Sequence, residues 1–459
     1  MPDQSEYQRV RAGRRRWLPK FRHPAQVIVA AFAVAVAVGT GLLMLPIARE
    51  GPGSAPLLTA LFTATSAVCV TGLIVVDTPV YWSGFGQVVI LAMIQVGGFG
   101  IMTLASLVGL LIWRRLGLRS RLIAAAETKQ IGLGDVGRVI VGVVKASLLF
   151  EALTAVLLTA RFALGYDVAL VRAIELGGFH AVSAFNNAGF ALFSDNLIGF
   201  AGDPWICLPI AAAVIIGGIG FPVLLELRQR LLRPRRWSLH TKLTIGMTVL
   251  LLISSTVFLT LAEWGNPRTL GQLEPSDRLL SAFFNATMLR TAGFNSFDPG
   301  RLNSGTLLGS DVLMFIGGGS AGTAGGIKVT TFVLLLFVIW AEVRGDDEVS
   351  VLDRRIEPRV WRQALSVALF SVAAVVISTF VLVEITRISF DAVLYEVVSA
   401  FATVGLSTGI TGTLPPAGQL VLVALMFIGR LGPISLVSAL ALRERHRLFH
   451  VPEGRPLIG

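Results

Sequence analysis

Four octapeptides in this chain share one pattern: SAVCVTGL from Ser66, SAFNNAGF from Ser183, TMLRTAGF from Thr287 and SAFATVGL from Ser399. Each opens on Ser or Thr, has glycine six residues later, and then Leu or Phe. The glycines, Gly72, Gly189, Gly293 and Gly405, lie 117, 104 and 112 residues apart. One such octapeptide would mean nothing; four in register mark an internal repeat. The chemistry open to these segments is that of the backbone. Glycine tolerates a positive φ and lets backbones approach closely, and four segments around one axis could offer carbonyl oxygens in place of a cation's water shell. The competing reading is that these are ordinary turn or helix-packing glycines, in a chain that has 48. The fourfold register weighs against it.

The elements that must hold these segments follow from composition. The chain has 459 residues, 54% hydrophobic and 15% charged, with a mean hydropathy of +0.74. So much apolar surface excludes a soluble enzyme, a nucleic-acid-binding protein and a disordered scaffold, and requires a bilayer as solvent. The net charge of +11 therefore reads as loop charge. Twenty-eight of the 39 Lys and Arg fall in five clusters: residues 9–22, 114–138, 228–242, 344–362 and the C-terminal tail. Seven lie in the intervening segments, and Lys145, Arg290, Lys328 and Arg430 lie inside apolar stretches. The positive-inside rule puts all five clusters and both termini in the cytoplasm. The apolar run from Ala25 to Ala48 is too long for a signal-peptide core and reads as a span. Cys69 and Cys207 cannot form a disulfide framework.

Four excursions between five cytoplasmic clusters need eight spans. The outgoing ones are expected near 25–48, 139–164, 240–263 and 363–385, and the returning ones near 87–112, 204–227, 311–340 and 418–442. Each linker between them holds a helix-like stretch followed by the repeated glycine. A helix that stops at mid-membrane and continues as extended backbone must be buried in protein or line a watery path. Its negative C-terminal end favours a cation. The expected fold is an all-α polytopic membrane protein of four span–pore helix–span repeats around one pore. Its parts are a basic tail (1–23), repeats at 24–115, 116–230, 231–345 and 346–443, and a second tail (444–459).

The third returning span reads FIGGGSAGTAGGIKVTTF from Phe315, with six glycines, small polar residues and a lysine. Glycine costs about 1 kcal/mol against alanine inside a helix, so the helix should break here. Gly317 to Gly322 matches GxGxxG, but no strand or βαβ unit surrounds it, so a dinucleotide site is rejected. A Walker A loop fails because Ile327 precedes Lys328. The preferred reading is a loop below the filter able to obstruct the path; a close-packed glycine patch is the alternative. Its candidate residues are Gly317, Gly318, Gly319, Ser320, Gly322, Gly325, Gly326 and Lys328. Arg430, in FIGRLGP of the fourth returning span, is placed near them by repeat register. There it either repels cations or is a structural charge satisfied by carbonyls. Arg290 is expected to brace the back of the filter. Lys145 and Glu151 are six residues apart, which is not a helical contact spacing. The five histidines are scattered and form no metal set, and His180 fits a plain pore-helix residue.

The unit of span, pore helix, glycine and span, four times in one chain, resembles the Trk/Ktr/HKT superfamily of potassium transporters. CVTGL, FNNAGF, RTAGF and TVGLSTG look like that family's four filters, and the resemblance covers about residues 25–442. Only 47 residues separate Ala25 from Gly72, so the bacterial Ktr-type translocating subunit is the nearer match. The resemblance implies K+ as the transported ion, with Na+ as a possible coupling or stimulating ion and no covalent cofactor. It implies ion contacts at Val70, Thr71 and Gly72; Asn187, Ala188 and Gly189; Thr291, Ala292 and Gly293; and Thr403, Val404 and Gly405. It further implies a homodimer in the cell membrane, regulated by a cytosolic ring of nucleotide-binding subunits, with the intramembrane loop as gate. Glycine at all four filter positions goes with potassium preference.

Two other classes compete with this reading. A proton- or sodium-coupled secondary transporter of another cation or small solute usually carries acids at its binding site; the four filter segments contain no Asp or Glu. An intramembrane enzyme needs a nucleophile and base, or clustered His and carboxylates, and the sequence offers none.

Overall fold

The computed structural model describes residues 24–115, 136–352 and 354–432. The two tails and most of the 114–138 loop lie outside the described residues. The principal helices in chain order are α1 (Pro24–Leu43), α2 (Leu57–Val68), α3 (Gly84–Arg115), α4 (Val136–Gly165), α5 (Leu170–Phe185), α6 (Pro204–Ile219), α7 (Phe221–Arg230), α8 (Leu239–Glu263), α9 (Pro275–Met288), α10 (Ser304–Phe315), α11 (Val329–Arg344), α12 (Pro358–Thr386), α13 (Phe390–Phe401) and α14 (Pro416–Leu431).

Among the described residues, four helices are long and apolar enough to cross a membrane: α1, α4, α8 and α12. Protein covers only 22–28% of their most apolar stretches. Leu149, Leu261 and Phe380 stand out from them. Helices apolar all round and uncovered by protein need lipid around them.

The second helix of each unit is of another kind. Helices α2, α5, α9 and α13 have 12, 16, 14 and 12 residues. At 1.5 Å per residue they reach about 18–24 Å, short of the roughly 30 Å of hydrocarbon. Their last turns are buried and rich in Ala, Ser and Thr, which lets neighbouring helices come close. All four end in a buried turn.

The returning helices differ from one another. α3 is continuous over 32 residues. α10 and α11 are separated by residues 316–328, the glycine-rich stretch, as its composition predicts. The second returning span was expected to run unbroken over 204–227, and this is corrected. α6 and α7 meet at a 100° bend. Gly220 at the bend has φ +101°, and a Cβ there would come within 2.5 Å of the Ser320 carbonyl. Pro222 follows in the first turn of α7, where its missing N–H costs nothing.

The apolar core has two halves, one centred on units one and two, the other on units three and four. They interlock at the middle. Phe284, Met288, Ala292 and Phe294 of unit three join the first half, while Phe62, Cys69 and Leu73 of unit one join the second.

Candidate functional site

The four glycines sit at the C-terminal ends of the four short helices. The capping residues Cys69, Asn186, Leu289 and Ala402 are still right-handed helical. The chain then reverses. Two residues before each glycine the backbone is left-handed: Val70 (φ +55°), Asn187 (+59°), Thr291 (+66°) and Thr403 (+50°). The glycines are left-handed too, at +95°, +70°, +72° and +92°. A β-branched residue at positive φ is strained, so Val70, Thr291 and Thr403 are held there by their surroundings.

The holding bonds turn N–H groups inward. The amides of Thr71, Ala188 and Val404 donate to the carbonyls of Ser66, Ser183 and Ser399 at 2.7–2.8 Å. Gly72 and Gly405 donate to the hydroxyls of Ser66 and Ser399 at 3.0 and 3.1 Å. This is the physical use of the repeated serine in units one and four. In unit two Ser183 instead donates to the Phe190 carbonyl at 2.8 Å, and in unit three Thr287 bonds back to Phe283 at 2.9 Å. Among the described residues no hydrogen bond ends on the carbonyls of Val70, Thr71, Asn187, Ala188, Thr291, Ala292, Thr403 or Val404. These carbonyls are left for another partner.

The four segments close into a ring. A Cβ at Gly72 would strike the Ala188 carbonyl; at Gly189, the Gly293 Cα at 2.6 Å; at Gly293, the Val404 carbonyl at 2.8 Å; at Gly405, the Thr71 carbonyl. The order is therefore 72, 189, 293, 405 and back to 72. Each glycine is packed on the backbone of the next unit, and no side chain fits at any of the four.

The glycine-rich loop lies on the helix-end side of this ring. Thr323 donates to Asn187 Oδ1 at 2.8 Å and to the Phe185 carbonyl at 3.3 Å. The Gly325 amide donates to Thr291 Oγ1 at 3.1 Å, and a Cβ on Gly325 would collide with Thr403. Three of the four residues just before the ring thus meet the loop. Gly319 and Thr323 donate to the carbonyls of Gly218 and Gly217 at 2.9 and 3.1 Å, which ties the loop to α6 above its bend. Ser320 pairs with Thr330 at 3.1 Å, Gly318 accepts from Val329 at 3.0 Å, and Gly322 and Gly326 carry the turns.

Three cations hold the loop through its carbonyls. Arg430, buried on α14, donates to Thr323 and, at 3.4 Å, to Gly97. Arg290 donates to Gly317 at 2.8 Å, so it braces the loop. Lys328 donates to Ala324 at 2.5 Å. Among the described residues none of the three has a carboxylate within 4.0 Å. Four converging helix C-termini carry about −0.5 charge each, and that field lowers the cost of burying them.

The family model described as TrkH, cation transport protein, matches residues 9–450. The Ktr system potassium uptake protein B of Bacillus subtilis is 40% identical over 95% of this chain and 97% of its own length. This chain belongs to the TrkH cation transport protein family. The Ktr system potassium uptake protein B of Vibrio alginolyticus is 36% identical, over 95% of this chain and 94% of that one. The potassium/sodium uptake protein NtpJ of Enterococcus hirae is 32% identical, over 95% and 97%. The crystal structure of the potassium transporter TrkH from Vibrio parahaemolyticus aligns with a TM-score of 0.73 at 18% identity, covering 93% of this chain and 87% of that one. At that identity the likeness concerns the fold. The relatives are transporters, not enzymes.

Several polar residues of this TrkH-family chain escaped the sequence reading. Glu151 is not paired with Lys145, which is exposed on the same helix. It accepts from Gln95 at 3.0 Å and from Asn186 at 3.2 Å, joining α3, α4 and the end of α5 behind the second glycine segment. Asn186 stood in the FNNAGF motif; Gln95 gave no signal. Thr323, the loop residue with most contacts to the ring, was overlooked among its glycines. His180 is structural, as expected: Nδ1 faces the Leu176 carbonyl at 2.7 Å and Nε2 accepts from Leu192 at 3.3 Å. Gly97, on α3, is packed against the first glycine segment, since a Cβ there would strike the Val68 carbonyl and the Val70 side chain.

Proposed function

We propose that this chain takes up K+ across the cell membrane through the axis of the glycine ring. The observation that carries the reading is the closed order of the four glycines, with unpaired carbonyls beside them. A cation that sheds its water there gains carbonyl dipoles and the negative ends of four short helices. The filter is made by Val70 to Gly72, Asn187 to Gly189, Thr291 to Gly293 and Thr403 to Gly405. The long and returning helices are the eight spans, the four short helices re-enter from one side, and both termini are cytoplasmic. The repeats run over 24–115, 116–230, 231–345 and 346–443.

The loop from Gly317 to Lys328 is the gate. Closed, it places Thr323 and Gly325 under the ring and three positive charges beside the path. Opening must release its bonds to Asn187, Thr291, Arg430 and Gly217. A cytosolic ring of nucleotide-binding subunits supplies the bias, and the chain works as a homodimer. The names of its relatives, potassium uptake proteins and a potassium/sodium uptake protein, support K+ as cargo and leave Na+ the place of a coupling or stimulating ion.

The deciding experiment is ion flux into proteoliposomes holding the purified chain, with K+, Rb+ and Na+ gradients in turn. The expected result is K+ and Rb+ flux above Na+ flux, dissipative and without proton movement. Obligatory proton exchange with no electrogenic K+ current would refute the channel-like path.

A further inference from the structure

A cavity of about 430 Å³ opens between the end of α7 and the start of α8, well away from the ring. Among the described residues its wall includes Arg230, Arg235, Arg236 and Lys242, beside one carboxylate, Glu226. That carboxylate is already engaged. It accepts from the Ser238 amide at 2.8 Å, the Ser238 hydroxyl at 2.6 Å and the Thr241 hydroxyl at 2.5 Å, and so fixes the entry into α8. Its contact with Arg230 is long, at 3.9 Å. Arg235, Arg236 and Lys242 have no carboxylate within 4.0 Å among the described residues. The positive end of α8, a helix of 25 residues, adds to the same field.

The wall is also part apolar, through Trp237, Leu239 and Leu352. Leu231 and Leu232, next in the chain after Arg230, are 62% and 92% exposed. Trp237 lies half-buried in the wall and donates its indole N–H to the Arg230 carbonyl at 2.9 Å. A soluble anion would satisfy the arginines and leave two leucines in water. An amphiphile satisfies both at once. Basic pockets between helices at the cytoplasmic surface suit anionic lipid head groups, and tryptophan favours that depth.

We infer that this cavity binds the phosphate head group of an anionic phospholipid, with Arg235, Arg236 and Lys242 on the phosphate and Leu231 and Leu232 against the acyl chains. The inference rests on the inward-facing assignment of residues 228–242, and its test needs no ion flux. The full chain in detergent is titrated with phosphatidylglycerol, phosphatidylcholine or inorganic phosphate, and retained ligand is read by native mass spectrometry. Phosphatidylglycerol should be retained and phosphatidylcholine not. At about a fivefold loss for each basic contact removed, the triple variant Arg235→Gln, Arg236→Gln, Lys242→Gln should retain it on the order of a hundredfold more weakly. Arg235→Lys with Arg236→Lys should keep it, and Leu231→Ser with Leu232→Ser should weaken it with every charge in place. Equal retention by the triple variant overturns the site, as does equal retention of phosphatidylcholine. Millimolar inorganic phosphate displacing the lipid, with the leucine variant binding normally, overturns the lipid and leaves a soluble anion. If the triple variant does not fold, the lysine and leucine variants decide between these outcomes.

Discussion

Gly72 is under two constraints that only glycine meets. Its φ of +95° is disfavoured for L side chains, and a Cβ there would strike the Ala188 carbonyl of the next unit. Serine at this position must push that carbonyl off the ring, changing both cavity size and the number of coordinating dipoles. A tenfold preference is worth only about 1.4 kcal/mol, so Gly72→Ser should reduce the K+/Na+ flux ratio about tenfold in folded, inserted protein. Gly405→Ser should match it, because its Cβ would strike the Thr71 carbonyl. Gly189→Ser and Gly293→Ser should act less, where a Cβ would lie 2.6–2.8 Å from its nearest neighbour. The control is Gly246→Ser, where a side chain meets open space; Gly97 is unsuitable, being packed on Val68. Wild-type ratios in all four filter variants would end the filter assignment.

At the scale of elements, the loop between α10 and α11 is held by a small number of identifiable bonds. Thr323→Ala removes its hydroxyl bonds to Asn187 and Phe185. At about 0.5–1.5 kcal/mol for each bond, that should shift the closed–open balance several-fold and raise cation flux. Deleting Gly318 to Ala324 should raise it further and weaken regulation. Arg430→Ala should also raise flux, since it removes a charge beside the path and the bond to Thr323. Single-channel or tracer flux on folded protein checks all three, and unchanged flux throughout would reduce the loop to a packing patch. Outside the path, Glu263 gathers the far end of unit three. It accepts from Thr269 at 2.7 Å, Thr306 at 2.5 Å and both the amide and side chain of Asn303 at 3.2 and 3.1 Å. Glu263→Ala strands the buried hydroxyls of Thr269 and Thr306 and should cost about 3 kcal/mol, seen as a lower melting temperature in detergent with ion selectivity unchanged.

For the whole molecule, the basic clusters predict orientation. Both native cysteines are buried, so the wild-type chain should give little background with a membrane-impermeant thiol reagent. Val10→Cys, Ala125→Cys and His450→Cys should stay unlabelled from outside intact cells. Arg268→Cys, in the exposed turn after α8, should label. Labelling of Ala125→Cys from outside would sink the eight-span arrangement, whatever the state of the ring.

The sequence by itself determined the features that rest on local backbone chemistry. Four glycines in register imply four backbone positions where positive φ or close approach is cheap, because the residue has no Cβ. Six glycines in one apolar stretch imply a broken helix, because propensity adds over neighbours. Tertiary structure alone decided the features that depend on what lies across the molecule. Gly220 sits in an apolar run with little local sign of a 100° bend; the bend exists because the Ser320 backbone occupies the space a side chain would need. The spacing of Glu151 and Lys145 gave neither a partner on their own helix; the partners of Glu151, Gln95 and Asn186, come from two other helices brought against it by packing. The serine repeated in three units is one letter in the sequence but caps the glycine amide in only two of them, since the Ser183 hydroxyl donates instead to the Phe190 carbonyl. The cyclic order of the ring, each glycine seated on the next unit's backbone, is a contact between segments more than a hundred residues apart, and only the folded chain sets it.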